Sequence, residues 1–558
     1  ERRLTVELTA NPDWYAVQAL PVVGNPSTDD AVAWATAYYA NRLAGVLVDA
    51  NPAISRVFEF WKQSGKDQET LMSNLEKNSD LKDLLLAETP WVAEAADEAE
   101  QKRRIALLFD LNGMSSRLQQ AADKLRTLQL TDGSWSWYKG MKGSRYITTQ
   151  TVELMARLKA MNISLTDGME AQYGRALGYL RKEVKKVYEQ MRIQERENNI
   201  QVRPDEQIVK YLYICALDET ARKQADKEIN TYFLARLTNR SAECSIYEKS
   251  LLAVIMHAYG QKRQAELLLQ SVKEYMLATP EMGRYFDTSK AGYSWNSYKI
   301  PTQVAAMEAI WRIAPDQHLL GDMKQWLLKQ KQVQVWDTPL ATADAVYAFL
   351  GMGGNRLQAS GSLKARIGSK TLVTPDDALG YVRQTYTGAD TEVSRIAVVK
   401  SGEGLSWGAV YAQYLEDMIR VRPFRTNGLG IVREYWLGDE QVSASTRLKP
   451  GDKLTVRLTV KADRDMDFVQ IKDERASCME PAVQLSGYHW NGGIGYYQVN
   501  KDASTEFFID QMRKGTYVLE YTVYLDRPGT YQAGIATIQS AYAPEFNGHT
   551  DGVELTIE

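Results

Sequence analysis

Cysteine is nearly missing from this chain: there are three among 558 residues, Cys215, Cys244 and Cys478, with none before position 215. Three widely spaced thiols make no disulfide framework, so buried free thiols are the expectation, with a Cys215–Cys244 bridge as the alternative. Periplasm and cytosol both tolerate that count, which leaves the redox compartment open. An excess of one charge is also missing. The 67 Lys and Arg nearly balance the 70 Asp and Glu, and the net charge of −3 gives no basic footprint for nucleic acid. No apolar run approaches the roughly 20 residues that a membrane-crossing helix needs. Phosphate-binding P-loops, Gly-x-Ser-x-Gly elbows, Cys-x-x-Cys pairs and His-Glu-x-x-His pairs are all absent. No secretion signal is visible, and the start Glu1-Arg-Arg without Met reads as a processed or truncated terminus.

What is present divides by period. A hydrophobic content of 44% with 25% charged residues fits an ordinary globular protein. A chain of this length exceeds a single core, so several domains are expected. From about Asp30 to Leu350 apolar residues recur at helical spacing. Examples are Ile208, Tyr211, Leu212 and Cys215, then Leu252, Ile255, Met256 and Tyr259. Further sets are Met307, Ile310, Trp311 and Ala314, then Ala343, Val346, Tyr347 and Leu350. Pro204-Asp205 opens a helix, Gly260 closes one, and Gly351-Met-Gly-Gly354 ends the series, about a dozen helices in all.

The helices carry an internal repeat of an aromatic turn, a polar run with Thr, and an amphipathic helix. Asp132-Gly-Ser-Trp-Ser-Trp137 precedes Tyr146–Val152, Gly292-Tyr-Ser-Trp295 precedes Ile300–Val304, and Trp336 precedes Leu340–Asp344. Helix pairs of this kind bury their faces by stacking or by closing a ring. The pattern resembles the α/α toroid of terpene cyclases, prenyltransferases and complement-like thioester domains. Trp135, Trp137 and Trp295 are then expected to hold the ring together rather than bind a ligand.

Beyond Gly354 the period becomes two. Leu454, Val456, Leu458 and Val460 alternate with polar residues, and Tyr517, Leu519, Tyr521, Val523 and Leu525 alternate with Val518, Glu520, Thr522 and Tyr524, with turns at Lys449–Asp452 and Asp526–Gly529. This is antiparallel sandwich material. Leu4–Leu8 also alternates but has no strand neighbour until residue 356, so it is expected to complete a small sheet with residues beyond the helical insert. A seam is expected near Arg422-Pro423. Gly492-Gly-Ile-Gly495 among aromatics reads as a hairpin, and Arg181–Lys186 through Glu195–Glu197 as a solvated helix face.

Local words carry a family resemblance. They are Trp14–Pro21, Tyr38-Tyr-Ala-Asn41, Asn74–Lys77, Glu88-Thr-Pro-Trp91 and Arg103–Asp110, then Gly515–Tyr521, Pro528–Tyr531 and Ala541–Gly548. Together they resemble the C-terminal part of the bacterial α2-macroglobulin family across essentially the whole chain. The resemblance implies a multidomain α+β fold: an α/α toroid inserted in a small CUB-like β domain, followed by an antiparallel β-sandwich. In those terms residues 1–12 supply the first strand of the CUB-like domain and 13–354 the toroid. Residues 355–424 then complete the CUB-like domain, and 425–558 form the macroglobulin-like sandwich. In that family similar words bracket a Cys-x-Glu-Gln motif whose thiol and carboxamide form a reactive thioester. Here sixteen residues separate Pro21 from Tyr38, with no cysteine among them. On an ungapped register Asp30 occupies the cysteine position and Ala33 the glutamine position. The residues themselves read as a turn, Asn25-Pro-Ser-Thr-Asp-Asp30, with Asp30 or Thr28 capping the helix that follows.

Enzyme chemistry finds little footing. A zinc prenyltransferase needs an Asp, Cys and His set, and the helical region offers only Cys215, Cys244, His257 and His318, of which Cys215 and His257 sit in apolar helices. Thr28-Asp-Asp30 lacks the further carboxylates of a cyclase motif. A toroid polysaccharide lyase acting through Tyr and His remains an alternative. The resemblance implies a non-enzymatic, non-covalent protease trap without cofactor or metal, with proteases as partners. Its expected place is the periplasm or cell exterior, lipid-anchored to the envelope. A scaffold in an envelope complex is the second alternative.

Overall fold

The computed structural model describes residues 3–17, 19–26, 28–50, 111–280, 282–286, 299–330, 336, 338–352, 361–374, 380–402, 405–425, 428–540 and 546–558. The words at 74–77, 88–91 and 103–110, the turn at 292–295 with Trp295, and residues 541–545 lie outside the described residues.

Among the described residues six helices form an inner set: α1 (Ala31–Ala50), α2 (Arg145–Ala160), α3 (Glu206–Leu217), α4 (Ile246–Ala258), α5 (Lys299–Ile313) and α6 (Pro339–Leu350). Each packs on the next, and α6 returns to α1, so the six close a ring. Outer helices lie against them. Leu111–Leu128 covers α1, Asp167–Asn198 covers α2, Lys262–Lys273 covers α4 and α5, and Gln317–Lys329 covers α5 and α6. Short polar side chains start these helices by satisfying backbone donors that have no intrahelical partner. Ile208 N–H donates to Asp205 Oδ1 (2.9 Å), Ala341 N–H to Thr338 Oγ1 (3.1 Å), and Ser245 with Glu248 completes a reciprocal cap on α4. Gly260, at φ +80°, ends α4 in the left-handed region that glycine tolerates.

The inner helices are buried all round rather than on one stripe. In α3 the expected face of Ile208, Tyr211, Leu212 and Cys215 is buried, and so are Val209, Lys210, Tyr213 and Ile214. An outer helix covers one side while the ring axis takes the other, so no face is left for water.

The aromatic turns act as pins. Trp135 N–H donates to Thr148 Oγ1 (2.8 Å) on α2, and its indole N–H donates to the Leu125 carbonyl (2.9 Å) of the preceding outer helix. Trp336 repeats this, with Thr342 Oγ1 (3.0 Å) on α6 and the Leu327 carbonyl (2.8 Å). Each buried Trp therefore ties an outer helix to the inner helix that follows. Trp137 corrects the expectation: its side chain is exposed, stacked on Tyr138, and only its carbonyl serves the ring, accepting from Ala31 N–H (2.9 Å). Thr148→Val and Thr342→Val keep the shape but orphan a buried Trp amide. Each should cost about 1–3 kcal/mol of ring stability, measured by chemical denaturation.

Two β units flank the ring. In the first, β1 (Arg3–Thr9), β2 (Gly361–Ile367), β3 (Lys370–Val373), β4 (Tyr381–Thr387), β5 (Ile396–Gly402) and β6 (Trp407–Gln413) form two antiparallel three-stranded sheets, ordered β4-β1-β6 and β3-β2-β5. Leu4, Val6 and Leu8 of one sheet pack with Leu363, Ala365 and Ile367 of the other in a core of their own. The terminal unit is a sandwich built largely from β7 (Leu429–Leu437), β8 (Lys453–Ala462), β9 (Met466–Glu474), β10 (Gly487–Asn491), β11 (Ile494–Asn500), β12 (Ser504–Met512), β13 (Gly515–Leu525) and β14 (Ala536–Ser540). β7-β8-β13 are the middle of a five-stranded sheet, and β10-β11-β12-β9-β14 lead a seven-stranded one. Phe424–Arg425 already pairs with Asn547–His549 of the latter, so the seam expected between 424 and 425 falls inside that strand. The ring touches both neighbours: Gly321 lies against Leu405, and Lys329 lies 5.1 Å from the Phe546 ring.

Candidate functional site

The segment from Leu20 to Asn41 turns sharply before entering α1. Gly24 makes the turn: a Cβ there would meet the Leu20 carbonyl oxygen at 2.8 Å. Asn41 Nδ2 secures it by donating to the Gly24 and Ala37 carbonyls, each at 2.8 Å. Tyr38 Oη accepts from Thr166 N–H (2.9 Å) at the start of the outer helix Asp167–Asn198. The words on either side of the turn are therefore structural.

Asp30 and Ala33 are brought together. Asp30 is the cap of α1: Ala33 N–H donates to its Oδ1 (2.9 Å), Trp34 N–H to its backbone carbonyl (3.0 Å), and Thr28 Oγ1 to its Oδ2 (2.7 Å). Asp30 is the cap and Thr28 its support. Both carboxylate oxygens are engaged and the residue is buried, so neither is presented to a substrate. Next to it, Asp29 accepts from Lys124 Nζ (3.0 Å) and Trp34 Nε1 (2.6 Å), and these two donors hold its carboxyl below the ordinary value. Asp30→Ala removes the cap and should cost about 1 kcal/mol of ring stability by urea titration. A much larger loss would mean that Asp30 does more than cap.

The ring axis holds a network that the sequence reading missed. Glu153 and Arg157 on α2, Lys210 and Tyr213 on α3, Glu308 on α5, and Asp344 and Tyr347 on α6 are all buried. Glu153 receives Lys210 Nζ (3.0 Å) and Arg157 Nη2 (2.9 Å), and Arg157 also pairs with Asp344. Lys210 Nζ further donates to Gln150 Oε1 (3.0 Å). Glu308 accepts from Tyr213, from Tyr347 (2.8 Å) and from Arg312 Nε (2.7 Å). The Arg157 guanidinium lies 4.9 Å from the Tyr347 ring centre and joins the two halves. Burial penalises the Glu153 carboxylate, yet Lys210 and Arg157 more than offset it and hold its carboxyl below the ordinary value. Burial pushes the Asp344 carboxyl up against the pull of Arg157. Burial and then Glu308 drive the Tyr213 hydroxyl far up, so it remains a donor.

The remaining sequence candidates are not gathered. Cys215, Cys244 and Cys478 are separate buried free thiols, and burial raises the Cys215 thiol to about 12. His257 is half-buried on α4. Among the described residues no group of three or more His, Cys, Asp or Glu could hold a metal. Glu195 corrects the solvated-face expectation: it pairs through both oxygens with Arg236 Nε (2.9 Å) and Nη2 (2.7 Å), and that pairing lowers its carboxyl to about 2.

Residues 428–545, most of the sandwich, match the bacterial alpha-2-macroglobulin MG10 domain. Over that domain the chain is similar to the bacterial alpha-2-macroglobulin family. An alpha-2-macroglobulin homolog from Nostoc sp. is 22% identical over 484 residues, covering 78% of this chain and 23% of that protein's length. This chain thus spans about a quarter of the relative it matches. Among solved structures, native Escherichia coli alpha-2-macroglobulin from domain MG7 to the C-terminus is 14% identical, with a TM-score of 0.36 over 100% of this chain and 77% of that one. The trypsin-activated E. coli protein is 12% identical, with a TM-score of 0.41 over 100% of this chain and 34% of that one. Overlays this loose add nothing to the assignment.

Proposed function

We propose that the chain is the C-terminal part of a non-covalent protease trap of the cell envelope, a member of this family whose thioester has been replaced by a helix cap. The observation that carries the reading is the Asp30–Ala33 pair. A thioester joins a thiol and a carboxamide three residues apart. Here the same interval is closed by a hydrogen bond from Ala33 N–H to Asp30 Oδ1, and no cysteine lies between residues 1 and 214. Neither Asp nor Ala can form an acyl thioester, so a captured protease would be enclosed rather than bonded. Restraint would then depend on movement of the ring against the two β units.

Two further points support a non-enzymatic role. The ring axis, where a toroid enzyme would need a substrate cleft, is filled by the buried Glu153–Arg157–Glu308 network. The similarity of residues 428–545 to the bacterial alpha-2-macroglobulin MG10 domain makes proteases the partner class to try first. The test is incubation of the full-length protein with such proteases. A trap predicts cleavage of the protein, loss of activity on large substrates and retained activity on small peptides. No association would favour the scaffold reading, and unsaturated products from acidic glycans would favour the lyase.

A further inference from the structure

One edge of the terminal sandwich breaks the usual rule for exposed strands. Among the described residues β10 (Gly487–Asn491) is the outermost strand of the seven-stranded sheet and pairs only with β11. Edge strands normally carry charge, which keeps other chains from pairing with them. The twenty residues from Pro481 to Asn500 contain no Asp, Glu, Lys or Arg, in a chain where such residues make up 25%. The same stretch exposes four large apolar side chains, Val483 (60%), Leu485 (83%), Tyr488 (69%) and Trp490 (77%).

The backbone of this edge is open in a definite register. Asn491 and Ile494 flank the two-residue turn Gly492-Gly493, whose φ values of +59° and +83° mark a mirror-image hairpin turn. Such a turn closes on a hydrogen-bonded pair, and bonded and non-bonded pairs alternate from there. Asn491, His489 and Gly487 therefore bond to β11, whereas Tyr488 and Trp490 direct their N–H and C=O groups outward. The close approach of the Tyr488 and Tyr497 rings, 4.7 Å, is the mark of a non-bonded pair. Trp490 lies over Gly495, where a Cβ would be 3.0 Å from its ring.

We infer that β10 is the dimerisation edge of this chain and pairs antiparallel with β10 of a second copy, the two strands crossing at His489. The sequence Gly-Tyr-His-Trp-Asn places an aromatic on each side of a central histidine, so the strand is nearly symmetric about its own centre. Antiparallel pairing on that centre sets Tyr488 opposite Trp490 of the other copy, twice. Those are the residues whose backbone groups are open, so four hydrogen bonds form and four aromatic rings meet on one face. A neutral edge meets its copy without like-charge repulsion, and a twofold axis closes the assembly at two. Val483 and Leu485, just ahead of the strand, widen the apolar contact. A charged peptide would find no complementary charge here, which favours the second copy as occupant.

Sedimentation velocity on the 558-residue chain over a concentration series tests this. The expected result is a shift from one to two chains with rising concentration, weakened about tenfold or more by Trp490→Lys. As a second reading, His489→Cys places two thiols across the axis in a non-bonded pair, within disulfide reach. It should give a covalent dimer on mild oxidation, whereas Val399→Cys on β5, equally exposed, should not; the native thiols are buried and silent. A single-chain mass at every concentration, a dimer that Trp490→Lys leaves intact, or equal crosslinking at both positions would overturn the inference.

Discussion

Replacing Glu153 with leucine should lower the stability of the helical ring by about 3–5 kcal/mol, the usual cost of stranding buried partner charges. Glu153 is the common acceptor of Lys210 and Arg157, and all three side chains are nearly inaccessible to water. Removing it leaves two cations facing each other in a low-dielectric interior, where both the repulsion and the lost solvation are at their largest. Chemical denaturation followed by the helical signal would measure the loss. Glu153→Gln should cost less, since an amide still accepts a hydrogen bond, and it should change the pH dependence. The Glu153 carboxyl is held below its ordinary value of 4.5, so its contribution is present above that pH and is lost as pH falls below it. The glutamine variant should therefore lose less stability than the parent between neutral pH and pH 4. An unchanged acid response would place the network's charges elsewhere.

The second large effect belongs to the sandwich. Arg433 on β7 and Asp473 on β9 join the two sheets through a buried pair at 2.6 Å, and Tyr521 Oη donates to the other Asp473 oxygen (2.7 Å). Arg433 also donates to the Gly534 carbonyl (2.6 Å). Asp473→Leu strands a guanidinium that cannot shed its charge and should cost about 3–5 kcal/mol. Arg433→Met should cost less. Burial already pushes the Asp473 carboxyl up, so without its partner it can take a proton and stay neutral. The order of the two losses is the informative part, and equal losses would contradict this account of the pair.

The sequence made the local structure legible where chemistry is short-range. Pro204-Asp205 and Gly260 mark real helix ends, and Leu454–Val460 alternates because one face of β8 is core. Leu4–Leu8 announced a strand, and its partners β4 and β6 lie more than 370 residues away, beyond the whole helical insert. Long-range pairing leaves no mark in either strand except the need for one. The axial network was hidden for a different reason. Gln150, Glu153 and Arg157 share one helix face, as do Lys210 with Tyr213 and Asp344 with Tyr347. A charged stripe is read as solvated unless something shows that it is enclosed. The signal was there in combination: α3 carries Lys210 between two apolar stripes, a pattern that fits a helix with no water-facing side. Trp137 failed in the opposite sense, because the aromatic turn Asp132–Trp137 holds both Trp135 and Trp137 and only packing separates the pin from its exposed neighbour.

The claim on which the proposed mechanism stands is that the turn into α1 holds no acyl bond. Intact mass spectrometry of the native chain before and after incubation with methylamine, with thiols titrated in denaturant, tests it directly. The expected result is an unchanged mass and three titratable thiols in both samples, one each from Cys215, Cys244 and Cys478. Uptake of one methylamine together with the appearance of a new thiol would contradict it.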